Sequence, residues 1–352
     1  MEKISKNQQQ ILSIFLKNKS LASSEVHEQL SKLDNVISLI TVKRELTELK
    51  NRSLLHISGA GRSVVYSISS YGRLLSEIDA DRYCSIDPDK RHGLSTYNFE
   101  LFNSIHLTLF SDSELAMLDE AQKIYVSNIK SISQNLEEKE LERFVIELSW
   151  KSSKIEGNTY SLLDTEKLII QGIKASGHDI HEAIMILNHK EAFKFIRENT
   201  GEFKEITPAK IEEVHKILIK GLDVDAGFRQ KAVGVTGSLY RPLDTVYQVK
   251  EAVSGLCNAV NKISSPYAKA LVVLAGLSYI QAFEDGNKRT SRLIANALLL
   301  AYGHAPLSYR SVDITEYKEA ILVFYELNSI RAFKKIFIDQ YVFAAKNYSV
   351  TA

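Results

Sequence analysis

Gln281-Ala282-Phe283-Glu284-Asp285-Gly286-Asn287-Lys288-Arg289-Thr290-Ser291-Arg292 joins two strongly apolar stretches, the run that ends at Ile280 and the segment Leu293 to Leu300. A polar loop between two core helices is the reading this imposes. Gly286 permits a tight turn, and the amides from Gly286 to Arg289 would converge at the N-terminus of the following helix. Backbone donors and the helix dipole favour an anion there. Arg289 and Arg292 are three apart, so both can lie on one side of the first turn and fork onto phosphate oxygens, while Asp285 can hold a divalent cation. The density of these groups points to a nucleoside triphosphate site rather than to an ordinary helix start.

On both sides of this stretch helical periods dominate: Leu141 to Ile155, Leu163 to Ala175, His181 to Arg197, Ala209 to Ile219, Lys269 to Ile280, Thr290 to Tyr302 and Glu316 to Tyr325. One extended interruption, Ala232 to Tyr247, is rich in Val, Gly, Thr and Tyr around Pro242 and reads as a small β-hairpin or flap. His178 and His181 form an isolated His-x-x-His and are read as loop and helix-start residues rather than metal ligands.

The chain has 352 residues, 45% of them apolar and 25% charged, which excludes a disordered or collagen-like polymer and allows two domains. Lys plus Arg is 44 against 43 Asp plus Glu, so any basic surface must be local. Two cysteines, Cys84 and Cys257, allow neither a disulfide framework nor a Cys-based zinc site and fit a reducing cytoplasm. The opening MEKISKNQQQ lacks the apolar core of a signal peptide, and the run Ala270 to Ile280 is too short to span a bilayer, so a soluble, cytoplasmic protein without a membrane partner is expected.

Residues 1–70 hold ten Lys/Arg and six Asp/Glu, a surplus of four positive charges. Gln9 to Lys17, Ser23 to Leu33 and Ser38 to Lys50 are amphipathic, and His56-Ile57-Ser58, the turn Gly59 to Arg62 and Val64 to Ile68 form a hairpin pattern. That order resembles a winged helix-turn-helix domain over residues 1–70. Leu39, Val42, Leu46 and Leu49 would face inward, leaving Thr41, Lys43 and Arg44 toward a DNA major groove and Arg62 at the wing tip. The same module could instead pack on protein. A polar, turn-rich interval over residues 71–113 is expected to link it to the rest.

The central stretch resembles the Fic (Fido-domain) family, whose signature is His-x-Phe-x-Asp/Glu-Gly-Asn-Gly/Lys-Arg-x-x-Arg. Phe283, Asp285, Gly286, Asn287, Lys288, Arg289 and Arg292 match, and Gln281 stands where the family has His. The resemblance implies a mainly α fold: an all-helical Fic domain over residues 114–347 with a β-hairpin flap, fused to the α+β winged-helix domain. It implies AMP transfer from ATP, with Mg²⁺ on Asp285, to a Ser, Thr or Tyr hydroxyl of a target protein docked on the flap. The nucleotide would then lie against Gly286, Asn287, Lys288, Arg289, Thr290 and Arg292, against Val235, Thr236, Gly237 and Ser238 of the flap, and against Tyr317 and Tyr325. Catalytic roles fall to position 281 and to Asp285, Asn287 and Arg292.

Upstream, Ser152-Ser153-Lys154-Ile155-Glu156-Gly157-Asn158 matches the family's inhibitory motif Ser/Thr-x-x-x-Glu-Gly/Asn, on a helix near residues 141–158, as in class II members. The resemblance makes Ser152, Glu156 and Gly157 regulatory, with Glu156 taking Arg292 away from the nucleotide. A carboxamide cannot accept a proton near neutral pH, and loss of general-base help typically costs ~10²–10⁴ in rate, so Gln281 implies an impaired enzyme. An introduced substitution, a natural pseudoenzyme and a residual catalyst all fit that reading. Lys288, where many adenylyltransferases have Gly, keeps Doc-like phosphotransfer open, as the loss of His keeps open a nucleotide-sensing DNA-binding regulator. Removal of AMP and pairing as a homodimer are further alternatives.

Overall fold

The computed structural model describes residues 4–33, 35–104 and 109–351. Among them are fifteen α-helices and one two-stranded antiparallel sheet. The chain divides into two compact units. The first comprises Met1–Leu107, Gly234–Arg241 and Lys318–Lys334; the second comprises Thr108–Val233, Pro242–Tyr317 and Lys335–Ala352.

The first unit opens with α1 (Lys6–Lys17), α2 (Ser23–Ser31) and α3 (Leu39–Asn51), followed by β1 (Leu55–Ser58) and β2 (Val65–Ile68) in the register Leu55 to Ile68 and Ser58 to Val65. Ser5 caps α1 in a reciprocal box with Gln8, and Ser38 caps α3 through the Thr41 amide. The apolar stripes of the three helices close a small core of Ile11, Leu12, Phe15, Val26, Leu30, Val42, Leu46 and Leu49, joined by Leu54 and Leu55. Thr41 is half-buried, while Lys43, Arg44 and Arg62 are exposed. Two short helices, α4 (Ser70–Leu75) and α5 (Ala80–Cys84), follow within the interval expected to be loose.

The second unit contains α6 (Asp112–Ser131), α7 (Gln134–Ile155), α8 (Leu162–Gln171), α9 (Ile180–Glu198), α10 (Pro208–Leu218), α11 (Val246–Lys262), α12 (Pro266–Ile280) and α13 (Asn287–Ala301). The last helices are α14 (Ile314–Leu327) and α15 (Arg331–Asn347). Every residue of α12 from Tyr267 to Ile280 is buried, and in α13 only Lys288 is not. Such all-round burial is the reason α12 reads as a continuous apolar run rather than a stripe, whereas α13 buries a polar first half, Asn287 to Arg292, ahead of its apolar one. Lys269, buried on α12, donates its ammonium hydrogens to the carbonyls of Val260 (2.9 Å) and Asn261 (3.2 Å) at the end of α11, which satisfies acceptors a helix end leaves open.

Of the two readings for Ala232 to Tyr247, hairpin or flap, strands are absent: residues 232–245 carry none, and β1 and β2 form the one described sheet. A turn at Val235–Ser238, closed by the Ser238 amide on the Val235 carbonyl at 3.2 Å, interrupts the segment. Pro242 brings no amide donor, Gly234 and Gly237 weaken the alternation, and no second strand is present to pair with it.

Candidate nucleotide site

The loop between α12 and α13 is held by its own side chains. Gln281 ends α12 in the left-handed conformation (φ 52°), and Gly286 begins α13 at φ 80°. Asn287 Oδ1 accepts the Phe283 amide at 2.9 Å while its Nδ2 donates to the Phe283 carbonyl at 2.8 Å and to Gln281 Oε1 at 3.3 Å. Gln281 Nε2 donates to the Ser278 carbonyl at 2.6 Å, so both ends of the carboxamide are engaged within the loop. The Phe283 ring lies flat on the His215 imidazole, centroids 3.6 Å apart at 7°, and His215 Nε2 donates to the Asp285 carbonyl at 3.0 Å. Burial pushes the His215 pKa down to about 4, so the imidazole is neutral, with one proton for that carbonyl.

Arg229, from the segment leading out of α10, ties down the other side. Its amide donates to the Ala282 carbonyl (3.0 Å), its Nε to the Gln281 carbonyl (2.6 Å), and its remaining nitrogens to the carbonyls of Lys231 and Leu243. A single buried guanidinium thus fixes the loop backbone.

Two cations on α13 converge on one carboxylate. Glu156, the C-cap of α7, accepts Arg292 Nη2 on Oε1 at 2.8 Å and Lys288 Nζ on Oε2 at 3.0 Å. Burial works against its charge, yet Arg292 and Lys288 hold its pKa down to about 2. Gly157 follows at φ 100°, where a Cβ would be strained, and the amides of Glu156, Gly157 and Asn158 fold back onto the carbonyls of Ser153 and Lys154. Arg292 is completely buried. Its Nε donates to Ser152 Oγ (2.8 Å), its Nη2 also to the Ser152 carbonyl (2.9 Å), and its Nη1 to the Tyr317 hydroxyl (3.4 Å). Although burial opposes the guanidinium charge, Tyr317 and Glu156 together raise its pKa. Ser152 Oγ in turn meets His189 Nε2 at 2.8 Å; burial, with Arg292 and Arg289 nearby, keeps that imidazole neutral, its pKa near 3.

Arg289 is also buried. Nη2 meets Asp285 Oδ2 at 2.7 Å, but Nε and Nη1 find no acceptor among the described residues. Buried guanidinium hydrogens without acceptors are costly unless something fills them. Beside them Gly286, as N-cap, offers the first-turn amides no side-chain acceptor. Unfilled donors of this kind fit phosphate oxygens. Thr290 lies in the same turn with a buried Oγ1 that likewise lacks a partner among the described residues. The Asp285 carboxylate is largely exposed, in keeping with a Mg²⁺ ion held by one carboxylate and substrate phosphates.

The second unit therefore gathers Gln281, Asp285, Gly286, Asn287, Lys288, Arg289, Thr290, Arg292, Ser152, Glu156, Gly157 and Tyr317. Val235, Thr236, Gly237, Ser238 and Tyr325 lie in the first unit, as do Thr41, Lys43, Arg44 and Arg62. Arg229, His189 and His215 went unmarked as site residues in the sequence reading. Their signal is modest: His189 sits on the apolar stripe of α9 with Ile186 and Phe193, and His215 on that of α10 with Ile211 and Leu218.

A helical domain in which a turn with unfilled donors joins two core helices, with one carboxylate paired to two cations of the second helix, is the class of protein these features define. Residues 205–299 match the sequence model of the Fic/DOC family, and the chain carries a Fic-family domain. It is 29% identical over 220 residues to the "Protein adenylyltransferase Fic" of Culex quinquefasciatus, covering 61% of this chain and 43% of that one. With the protein of the same name from Nematostella vectensis it shares 31% over 174 residues, 48% of this chain and 41% of that one. The chain thus spans less than half the length of these curated relatives. Among solved structures, a Fic domain-containing signaling protein from Bacteroides thetaiotaomicron superposes with a TM-score of 0.57 at 18% identity, over 65% of this chain and 94% of its own. Fic-1 from C. elegans does so at 0.56 and 22%, over 67% and 71%. These likenesses bear on the fold. No helix of the described residues is long and apolar enough to cross a membrane.

Proposed function

We propose that the chain is a Fic-type protein adenylyltransferase held in an inhibited state, which moves AMP from MgATP to a Ser, Thr or Tyr hydroxyl of a target protein. The observation that carries this reading is the pairing of Glu156 with both Lys288 and Arg292 beside the unfilled donors of Arg289. The brake is competition for donors: a guanidinium that forks onto a carboxylate cannot at the same time fork onto a phosphate. In this reading Gly286 to Arg292 hold the phosphates, Asp285 holds Mg²⁺, which neutralises developing phosphate charge, and Ser152 orients Arg292.

The hydroxyl oxygen of the target forms a bond to the α-phosphorus as the bond to pyrophosphate breaks, and its proton must go to a base. Gln281 cannot take it, its carboxamide being already bonded to Ser278 and Asn287, so in the chain as given the proton passes to solvent water. Positioning and charge stabilisation remain, and the turnover expected is low. Label transfer from α-³²P-ATP and γ-³²P-ATP, in the chain as given and in Gln281→His, each with and without Glu156→Gly, tests the proposal. Label from the α position that is strongest in the double variant is the expected result. Label from γ alone would establish phosphotransfer supported by Lys288.

A second reading, a nucleotide-sensing DNA-binding regulator, is favoured by the exposure of Lys43, Arg44 and Arg62 around the equally exposed Ile40 in the first unit. Gel shifts at two salt concentrations, with and without ATP, test it. Phosphate contacts give an affinity that falls steeply with salt.

A further inference from the structure

Glu326, near the end of α14, is completely buried, and its side chain takes up donors from three separate stretches of the first unit. Oε1 accepts Ser238 Oγ at 2.6 Å, the Leu239 amide at 3.3 Å and Arg91 Nη1 at 3.3 Å, while Oε2 meets the Tyr83 hydroxyl at 2.7 Å. Its backbone carbonyl accepts the Leu94 amide at 2.6 Å, and a Cβ on Gly93 would come within 2.7 Å of that oxygen. Arg91, itself buried, adds a bond to the Gly237 carbonyl (3.0 Å) and two more to the carbonyls of Cys84 and Ile86. The Arg241 amide donates to the Ser95 carbonyl at 2.9 Å, and the Tyr240 ring packs on that of Tyr325, centroids 5.6 Å apart. Just beyond Glu326 the chain is stitched to the N-terminal module: the Ile330 amide to the Leu74 carbonyl (3.2 Å), Ser329 Oγ to the Ser76 carbonyl (2.6 Å), and Asn98 Nδ2 to both Ser70 Oγ and Asn328 Oδ1.

Residues 234–241 carry no strand ladder; beyond the Ser238–Val235 and Tyr240–Ser238 bonds, the bonds that fix the segment come from other stretches of the unit. We propose that Glu326 is a positioning residue: its buried carboxylate, paired with Arg91, holds the Gly237–Leu239 turn in the geometry that receives the acceptor protein. The carboxylate is suited to this because its two oxygens accept several donors at once, and Arg91 supplies a charged donor to one of them away from solvent. The assignment to acceptor docking rests on the adenylyltransferase reading; the holding of the turn does not.

The test uses the full chain. Hydrogen exchange followed by mass spectrometry on Glu326→Gln, Glu326→Ala and Ser238→Ala reads the turn directly. Exchange at Leu239 should quicken by about tenfold in Ser238→Ala and further in Glu326→Ala, while α12 and α13 stay protected, since each lost charged hydrogen bond opens the segment locally. Unchanged exchange at residues 237–241 in all three overturns the proposal, as does a rise spread evenly over the unit with Ser238→Ala silent. Ser238→Ala decides the matter where a Glu326 variant fails to fold. On the Gln281→His, Glu156→Gly background, Glu326→Gln should raise KM for the acceptor protein several-fold and leave kcat within about twofold. An unmoved acceptor KM with a loosened turn overturns the link to docking. Absence of transfer in the parent background overturns the adenylyltransferase reading itself, and the exchange result then decides the holding role alone.

Discussion

Glu156 and Arg292, 136 residues apart, meet through Oε1 and Nη2 at 2.8 Å, with the guanidinium fully buried and the carboxylate nearly so. A charged pair at this depth is stabilised by the bonds around it, here Ser152, Tyr317 and Lys288, rather than by Coulomb attraction alone. If Arg292 serves substrate phosphates, as proposed above, the pair sets stability against activity.

Removing the carboxylate should therefore release the site. In the Gln281→His background, Glu156→Gly is expected to raise AMP transfer by about 10- to 100-fold, the worth of a charge-assisted hydrogen bond in competition. Initial rates with α-³²P-ATP measure it. An equal rate with and without Glu156 would end its assignment as a brake.

The same residue gives the fold an acid-sensitive term. Its pKa is held at about 2 in the folded chain against an ordinary glutamate value of 4.5, so its contribution is complete above pH 4.5 and is lost as pH falls through about 2. A shift of that size corresponds to about 3 kcal/mol. Urea unfolding of the parent should lose more stability between pH 5 and pH 2.5 than that of Glu156→Gln, which has nothing to titrate there. Parallel curves for the two proteins would contradict the assignment.

The periodicity of the chain already located most helices around the site, because a buried helix such as α12 announces itself as a long apolar run, as does the second half of α13. The loop between them was equally legible: Gly286, Asn287 and the two arginines have few other uses at that spacing. What sequence could not supply was partnership across distance. Nothing at Lys288 says that its ammonium meets Glu156, and nothing at Arg229 says that it holds the carbonyls of Gln281 and Ala282. The flap pattern was visible, but extended residues form a strand only beside a second strand, and among the described residues 232–245 carry no such ladder. Helices α6, α11 and α15 were not marked, although the Ser111/Glu114 and Thr245/Gln248 capping boxes were present to be read.

Protonation of His215 should destabilise the fold on the acid side of neutrality. Its pKa is about 4 when folded against an ordinary histidine value of 6.5, so the unfolded chain binds the extra proton and stability falls as pH drops from 6.5 toward 4. By pH 4 the loss from this one residue reaches about 3 kcal/mol. His215→Gln is expected to be less stable at pH 7, having lost the stack on Phe283, but to show a shallower decline between pH 6.5 and pH 4. Guanidinium midpoints across that range decide it, and an unchanged slope would place the titration elsewhere.

Gly286 supplies the last test, one that separates phosphate binding from chemistry. At φ 80° an alanine would be strained, although its Cβ would meet only ordinary contacts, the nearest being His215 Cδ2 at 3.5 Å. The cost is therefore conformational, about 1–2 kcal/mol, and falls on the turn that opens α13. Relief of that strain rotates the first-turn amides away from the anion position. Gly286→Ala in the Glu156→Gly background should weaken ATP binding by about tenfold, measured by calorimetry, with thermal unfolding lowered by only a few degrees. Unaltered ATP affinity alongside the lowered midpoint would mean that the phosphates are held by Arg289 and Arg292 side chains and not by the backbone of this turn.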